Sequence, residues 1–182
     1  MNLILRLLTP IRKLIEPPEK LISWIGVKPG MTVADIGCGP GYLTIPLARS
    51  VGIGGKIYAI EIDEKAAKYL EKKVKDLGLV NVEVKILDAE NLDGIPDNHV
   101  DISIMLYSLH HFSNIRKALQ EAYRITRPGG RLVIIDPMKE RMLGHGTIIE
   151  NVLKELINSG FKPKTFEKNL FTYRAVAWKN GG

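Results

Sequence analysis

Cysteine is almost absent from this sequence: Cys38 is the only one among 182 residues. A single cysteine excludes an internal disulfide and any metal site built from several thiolates, and it favours a reducing, cytoplasmic setting. Long apolar runs are also missing, because no stretch approaches the roughly 20 residues that a membrane-spanning helix requires. The first residues resemble a targeting segment only superficially, since Arg6 and Pro10 interrupt them and no small-residue cleavage site follows. We therefore expect one soluble globular domain without a signal peptide.

Positive charge exceeds negative charge modestly. The net charge is +6, but the basic residues are scattered among acidic ones except near the two ends of the chain. This balance alone is weak support for nucleic acid as a partner.

Apolar runs alternate with stretches of helical periodicity along most of the chain. We predict strands over 32–36, 56–62, 82–87, 100–106 and 132–135, and helices over 42–51, 63–78, 113–126 and 147–158. Asp63 and Ser113 are the predicted N-caps of two of these helices, and Pro128-Gly129-Gly130 is expected to end the second. The final apolar segments, 165–170 and 173–178, lie too close together for an intervening helix and indicate an antiparallel hairpin.

This order predicts an α/β fold with one doubly wound, mostly parallel sheet and helices on both faces. We divide the chain into an N-terminal helical extension, residues 1–28, and a main domain, residues 29–182. Leu3, Leu7, Ile11, Leu14 and Ile15 recur at helical spacing within the extension. That amphipathic helix either packs on the domain's own core, forms a lid over a substrate, or contacts a membrane surface.

The segment ADIGCGPGYLT follows the first predicted strand and carries Gly37, Gly39 and Gly41. Glycines at a strand-to-helix turn let the backbone approach a ligand closely, and the helix that follows offers unpaired amide donors. A nicotinamide-binding loop uses the spacing G-x-G-x-x-G, whereas this loop has G-x-G-x-G. Taken alone, the loop also fits a plain structural turn.

Two carboxylates follow neighbouring predicted strands. Glu61 ends the second strand, where it can accept hydrogen bonds from two ribose hydroxyls, and Asp88 ends the third, where it can accept one from an adenine amine. Each residue alone is equally consistent with a helix cap or a solvated turn. Their joint placement with the glycine loop favours a nucleoside site.

The motifs VADIGCGPGYLT, IYAIEID, LDAENL, DISIMLYSLHHF and RPGGRLVIID occur in this order within residues 29–178. In order and spacing they resemble class I S-adenosylmethionine-dependent methyltransferases, and LYSLHHF with RPGGRLVIID is similar to the ubiquinone/menaquinone-type small-molecule branch. The resemblance implies a Rossmann-like sheet of seven strands that ends in the antiparallel hairpin. It also implies S-adenosylmethionine as cofactor and S-adenosylhomocysteine as product.

The resemblance further implies a set of cofactor-binding residues. Asp35, Gly37 and Gly39 would line the methionine moiety, with Cys38 and Gly41 in the same loop. Glu61 would hold the ribose, while Ile62, Asp88 and Ala89 would surround the adenine. Met105 and Leu106 would supply backbone contacts beside the sulfonium.

Three residues after the fourth strand are candidates for the acceptor side of the site. Tyr107, His110 and His111 follow that strand, and a histidine's ordinary pKa near 6.5 suits a general base. His145 is a second candidate base. We expect no metal site, because no third ligand stands at a recognisable spacing from the histidine pair. His99 precedes the fourth strand and is expected at the opposite end of the sheet.

Several functions remain open at this point. We favour an unidentified small-molecule acceptor, because the N-P-P-[YF] motif and the Pro-Cys pair of base-modifying enzymes are missing. A methyltransferase acting on RNA or protein, a non-catalytic cofactor-binding module and, last, a dehydrogenase are the alternatives. The alternative of RNA or protein as acceptor is based on basic residues near the chain ends: Arg6, Arg12, Lys13, Lys162, Lys164, Lys168 and Arg174. The sequence does not distinguish a monomer from a homodimer.

Overall fold

The computed structural model describes residues 17–141 and 144–181. Strands and helices alternate over most of this range, as the apolar pattern predicts. The strands are β1 (Thr32–Ile36), β2 (Lys56–Glu61), β3 (Val82–Ile86), β4 (Val100–Leu106), β5 (Thr126–Pro137), β6 (Lys162–Lys168) and β7 (Thr172–Trp178). The helices are α1 (Pro18–Ile25), α2 (Thr44–Val51), α3 (Glu64–Asp76), α4 (Ile115–Ile125) and α5 (Ile149–Asn158), with a short 3-10 turn at Leu109–His111.

All of these strands form one sheet of seven in the order β3-β2-β1-β4-β5-β7-β6. Strands β1 to β5 pair in parallel, β7 pairs antiparallel with β5, and β6 pairs antiparallel with β7. The predicted Rossmann-like fold with a C-terminal antiparallel hairpin is therefore confirmed. The strand order reverses between β1 and β4, which is where open α/β sheets bind their ligands.

The sheet is buried on both faces, because adjacent residues of each central strand pack into different clusters. Ala34 and Ile36 of β1 lie with α4 and α5, whereas Val33 of the same strand lies with α1 and α2. Strands covered on both faces are expected to be almost continuously apolar, as these are. Helix α1 belongs to this core through Leu21, Ile22 and Ile25.

Several predicted boundaries are wrong, among them the strand over 165–170, which lies at Lys162–Lys168. Three of the differences at helix ends have identifiable reasons. Asn114, not Ser113, caps α4, because the Asn114 side chain accepts a hydrogen bond from the Lys117 amide. The helix over 147–158 begins only at Ile149, because the Thr147 amide donates to the carbonyl of Pro137. The helix over 42–51 begins at Thr44, after a turn in which the Gly41 amide donates to the Cys38 carbonyl.

The segment Pro128-Gly129-Gly130 does not lie at the end of a helix. Helix α4 ends at Ile125, and the backbone is already extended at Thr126, where β5 begins. The register against β4 shifts between Val100 and Ile102, which accommodates the Pro-Gly-Gly residues as an irregularity within the strand.

In the part of the chain that the structure describes, no helix is long and apolar enough to cross a membrane. The predicted amphipathic helix that includes Leu3, Leu7, Ile11 and Leu14 lies outside the described residues.

Candidate functional site

The glycine loop leaves β1 at the strand-order reversal and is fixed from two sides. The amides of Gly37 and Cys38 both donate to the Ile60 carbonyl at the end of β2, at 2.9 and 3.0 Å. From the β4 side, the Ser108 hydroxyl donates to the Ile36 carbonyl at 2.8 Å. The loop is therefore held by both strands that neighbour β1.

The three glycines have different surroundings, although each has a positive φ, at +73° for Gly37, +52° for Gly39 and +82° for Gly41. A Cβ added at Gly37 would lie 2.5 Å from Cβ of Ser108, and one added at Gly41 would lie 2.3 Å from Cδ1 of Leu70. At Gly39, no heavy atom of the described residues lies within 4 Å of that position. Gly39 therefore faces open space, whereas the other two glycines allow close internal packing.

Glu61 joins the glycine loop to the end of β2. One of its carboxylate oxygens accepts from the Gly39 amide at 2.7 Å, and the other accepts from the Asp63 amide at 2.9 Å. A carboxylate offers about four lone-pair sites, so these two bonds leave capacity for further donors. Asp63 in turn caps α3, as predicted, by accepting from the amides of Lys65 and Ala66.

Ile62 and Asp88 are exposed at the same edge. Ile62 follows β2 with 65% of its surface exposed, so a large apolar side chain is accessible at this edge. Asp88 follows β3, and its carboxylate accepts from the Glu90 amide at 2.9 Å, while Ala89 is buried. These residues line the edge beyond Glu61 with one apolar and one acidic surface.

Asp35 and Cys38 lie beneath the loop. Asp35 is only 2% exposed, and its carboxylate accepts from the Thr44 hydroxyl at 2.7 Å, which ties β1 to the start of α2. Burial raises the pKa of the Cys38 thiol well above its ordinary value, and the charges of Asp35 and Glu61 raise it further. The thiol is therefore protonated at neutral pH and is not a nucleophile.

The end of β4 carries the predicted acceptor-side residues. Met105 and Leu106 are buried, and the next residue, Tyr107, has a φ of +54°. A non-glycine residue in this region of backbone space costs of order 1 to 3 kcal/mol and is often found at functional sites. The Tyr107 amide donates to the Ile135 carbonyl at 2.7 Å, which holds the turn against β5.

His110 and His111 lie side by side on the turn after β4, and His145 packs against both. The ring centroids of His110 and His111 are 3.9 Å apart, and His145 lies 4.5 Å from the first and 5.8 Å from the second. Partial burial lowers the pKa of His111, and the neighbouring His110 and His145 lower it further, against an opposing effect of Asp136. The surroundings of His111 thus favour its neutral imidazole.

Asp136 was not among the residues that the sequence singled out. It lies near the end of β5 with its side chain fully buried, and Oδ1 is 2.8 Å from Nδ1 of His110. Thr147 donates to the other carboxylate oxygen at 3.2 Å. An aspartate within the apolar run LVIIDP was the available signal, because a buried carboxylate needs a partner. His99, in contrast, is exposed before β4, remote from this cluster, as expected.

Comparisons with known proteins find methyltransferases. A family model described as a methyltransferase domain matches residues 34–134. The crystal structure of an S-adenosylmethionine-dependent methyltransferase from Aquifex aeolicus is 33% identical, with a TM-score of 0.84 and 92% of each chain covered.

Two curated relatives are ubiquinone/menaquinone biosynthesis C-methyltransferases. The protein from Escherichia fergusonii is 37% identical over 116 residues, which are 63% of this chain and 46% of the relative. The one from Psychromonas ingrahamii is 36% identical over 112 residues, which are 61% of this chain and 44% of the relative. The matched region thus spans less than half the length of these relatives.

Proposed function

The chain belongs to the S-adenosylmethionine-dependent methyltransferases, and from this membership we propose that it transfers a methyl group from S-adenosylmethionine to a small-molecule acceptor. One observation carries the proposal most directly. The carboxylate of Glu61 bonds to the amide of Gly39, so the end of β2 and the open part of the glycine loop form one polar surface. That surface lies at the reversal of strand order, where a nucleoside ligand is expected.

The residues at this edge fit the donor. Gly39 offers backbone beside open space, Glu61 retains acceptor capacity for ribose hydroxyls, and Ile62 presents an exposed apolar face that suits a purine ring. Under the proposal, the donor is held by the following residues: Asp35, Gly37, Cys38, Gly39, Gly41, Glu61, Ile62, Asp88, Ala89, Met105 and Leu106.

When bound, the sulfonium supplies a methyl group that is already activated for transfer. The protein's task is to align the acceptor with the methyl–sulfur bond and to exclude water. We assign the acceptor side to Tyr107, His110 and His111. The lowered pKa of His111 leaves its imidazole neutral near pH 7, and a neutral imidazole can accept a proton from the acceptor.

The named relatives suggest the class of acceptor. Both are C-methyltransferases of ubiquinone/menaquinone biosynthesis, so we expect a small aromatic ring that carries a hydroxyl group. In such a reaction the ring carbon gains the methyl group as the carbon–sulfur bond breaks, and the ring carbon then loses one proton to a base. The division into an N-terminal extension, residues 1–28, and a main domain, residues 29–182, is part of this proposal, although α1, the part of the extension that the structure describes, packs on the core of the main domain.

Transfer of a labelled methyl group tests the proposal. Purified protein is incubated with methyl-labelled S-adenosylmethionine and a panel of hydroxylated aromatic compounds, and label in the organic extract is counted. His111→Asn should lower kcat at pH 7 while cofactor affinity is unchanged, and His99→Asn, at the opposite end of the sheet, should change neither. Cofactor binding without labelled product across the panel would favour a non-catalytic module. Label found in RNA or protein instead would favour a macromolecular acceptor.

A further inference from the structure

His110, His111 and His145 converge on one point at the acceptor edge. One imidazole nitrogen from each residue lies within 4.8 Å of the corresponding nitrogens of the other two. His145 joins the pair because Thr147, two residues further along the chain, forms a bridge with Met138 directly after β5. The histidine imidazole is the commonest protein ligand of transition-metal ions, and three imidazoles this close together can bind one ion.

The surroundings of His110 match those of a metal-binding histidine. Its Nδ1 bonds to Asp136, which is held in place by Thr147, and Thr147 is 2.8 Å from the Tyr173 hydroxyl. A histidine that donates its Nδ1 proton to a carboxylate keeps the Nε2 lone pair for a ligand, and this carboxylate–histidine pairing orients many metal ligands. Only 4% of the His110 side chain and none of the Asp136 side chain is exposed, so the orientation is fixed.

Against the expectation from sequence spacing, we propose that His110, His111 and His145 bind a first-row divalent metal ion, with Zn²⁺ the best match to three imidazoles. Zinc–nitrogen bonds of about 2.0 to 2.1 Å in a tetrahedron place the nitrogens about 3.3 Å apart, somewhat closer than the present 4.8 Å limit. His111 and His145 are exposed, so rotation of their side chains can supply the contraction. The oxygen-preferring cations Mg²⁺ and Ca²⁺ do not suit this donor set.

Three protein ligands leave a fourth position open, which is the arrangement of catalytic rather than structural zinc sites. The open position lies at the edge assigned to the acceptor, where a hydroxyl oxygen could bind and lose its proton more readily. This consequence rests on the proposed function, whereas the metal site itself does not. A nitrogen of His111 that binds the metal cannot also accept a proton, so metal binding would replace the base role assigned to His111.

Metal titration without methyl donor tests the site. Tag-free, chelator-treated protein is titrated with Zn²⁺ by calorimetry and with Co²⁺ by visible absorption, which reports tetrahedral nitrogen ligation. Wild type and His99→Ala, which removes the remaining histidine of the four in the chain, should bind one equivalent equally. His111→Ala and His145→Ala should lose binding, with folding checked by circular dichroism. Equal binding by wild type and His145→Ala, or no binding by wild type, would overturn the proposal.

Asp136→Asn provides a second test, because it removes the charge beside His110 while each of the three histidines is retained. We expect roughly 10- to 100-fold weaker Zn²⁺ binding, the usual effect of losing such a carboxylate. Unchanged affinity in a folded Asp136→Asn protein would contradict the assigned orientation of His110. Methyl-transfer activity does not enter either test, so failure of the metal site and failure of the proposed function are distinguishable.

Discussion

Gly39→Ala is expected to weaken cofactor binding far more than a matched glycine substitution elsewhere. Gly39 and Gly78 both have positive φ, at +52° and +64°, and at both an added Cβ meets no heavy atom of the described residues within 4 Å. Alanine in the left-handed region costs about 1 to 2 kcal/mol. The two variants should therefore lose similar stability, which urea unfolding measures. Gly78 follows α3 at the amino ends of the strands, so only the Gly39 variant adds a methyl group where the donor is proposed to bind.

Titration calorimetry with S-adenosylhomocysteine measures the difference. A methyl group that keeps the ligand from the loop amides should reduce affinity at least about tenfold, or about 1.4 kcal/mol. Gly78→Ala should bind like the wild type. Because the backbone cost is common to both variants, the comparison isolates the contact at Gly39. Equal affinities for the two variants would refute the assignment of Gly39 to the cofactor site.

Three further predictions address other parts of the molecule. The carboxylate of Glu61 accepts hydrogen bonds from two backbone amides, and Glu61→Gln places an amide nitrogen opposite one of them. Calorimetry with S-adenosylhomocysteine should therefore show binding weakened by about 1 to 3 kcal/mol. The raised pKa of Cys38 means that the fold favours the neutral thiol, so stability is fully present below the ordinary pKa of 9.0 and falls as pH rises above it. Urea unfolding between pH 8 and 10 should show this fall in the wild type and a smaller one in Cys38→Ala. Arg124→Met removes hydrogen bonds to Glu121 and to the carbonyls of Leu92 and Ile95. Thermal unfolding should show that the free energy of unfolding falls by about 2 kcal/mol.

The regular parts of the fold were predictable because buried parallel strands leave a clear apolar signal. The bounds of β1 and β4 agree with the prediction. The extension of β5 through Pro128-Gly129-Gly130 was not predictable. It depends on pairing with Lys179, whose backbone bonds to Gly129 and Gly130 from the far end of the chain.

The candidate site also has a part that the sequence predicts and a part that it does not. The glycine loop, Glu61 and Asp88 follow directly from their positions after successive strands, because parallel strands end at one edge. The grouping of His145 with the other two histidines does not, because it depends on the turn that pairs Met138 with Thr147. The spacing of residues along the chain predicts neither this pairing nor the bond between Asp136 and His110.

Titration calorimetry of the purified protein with S-adenosylmethionine and, separately, S-adenosylhomocysteine tests the central claim most directly. We predict binding of both near micromolar Kd, about 8 kcal/mol, with one ligand per chain. Absence of heat for both ligands, from protein shown to be folded by circular dichroism, would contradict the claim and leave the glycine loop as a structural turn.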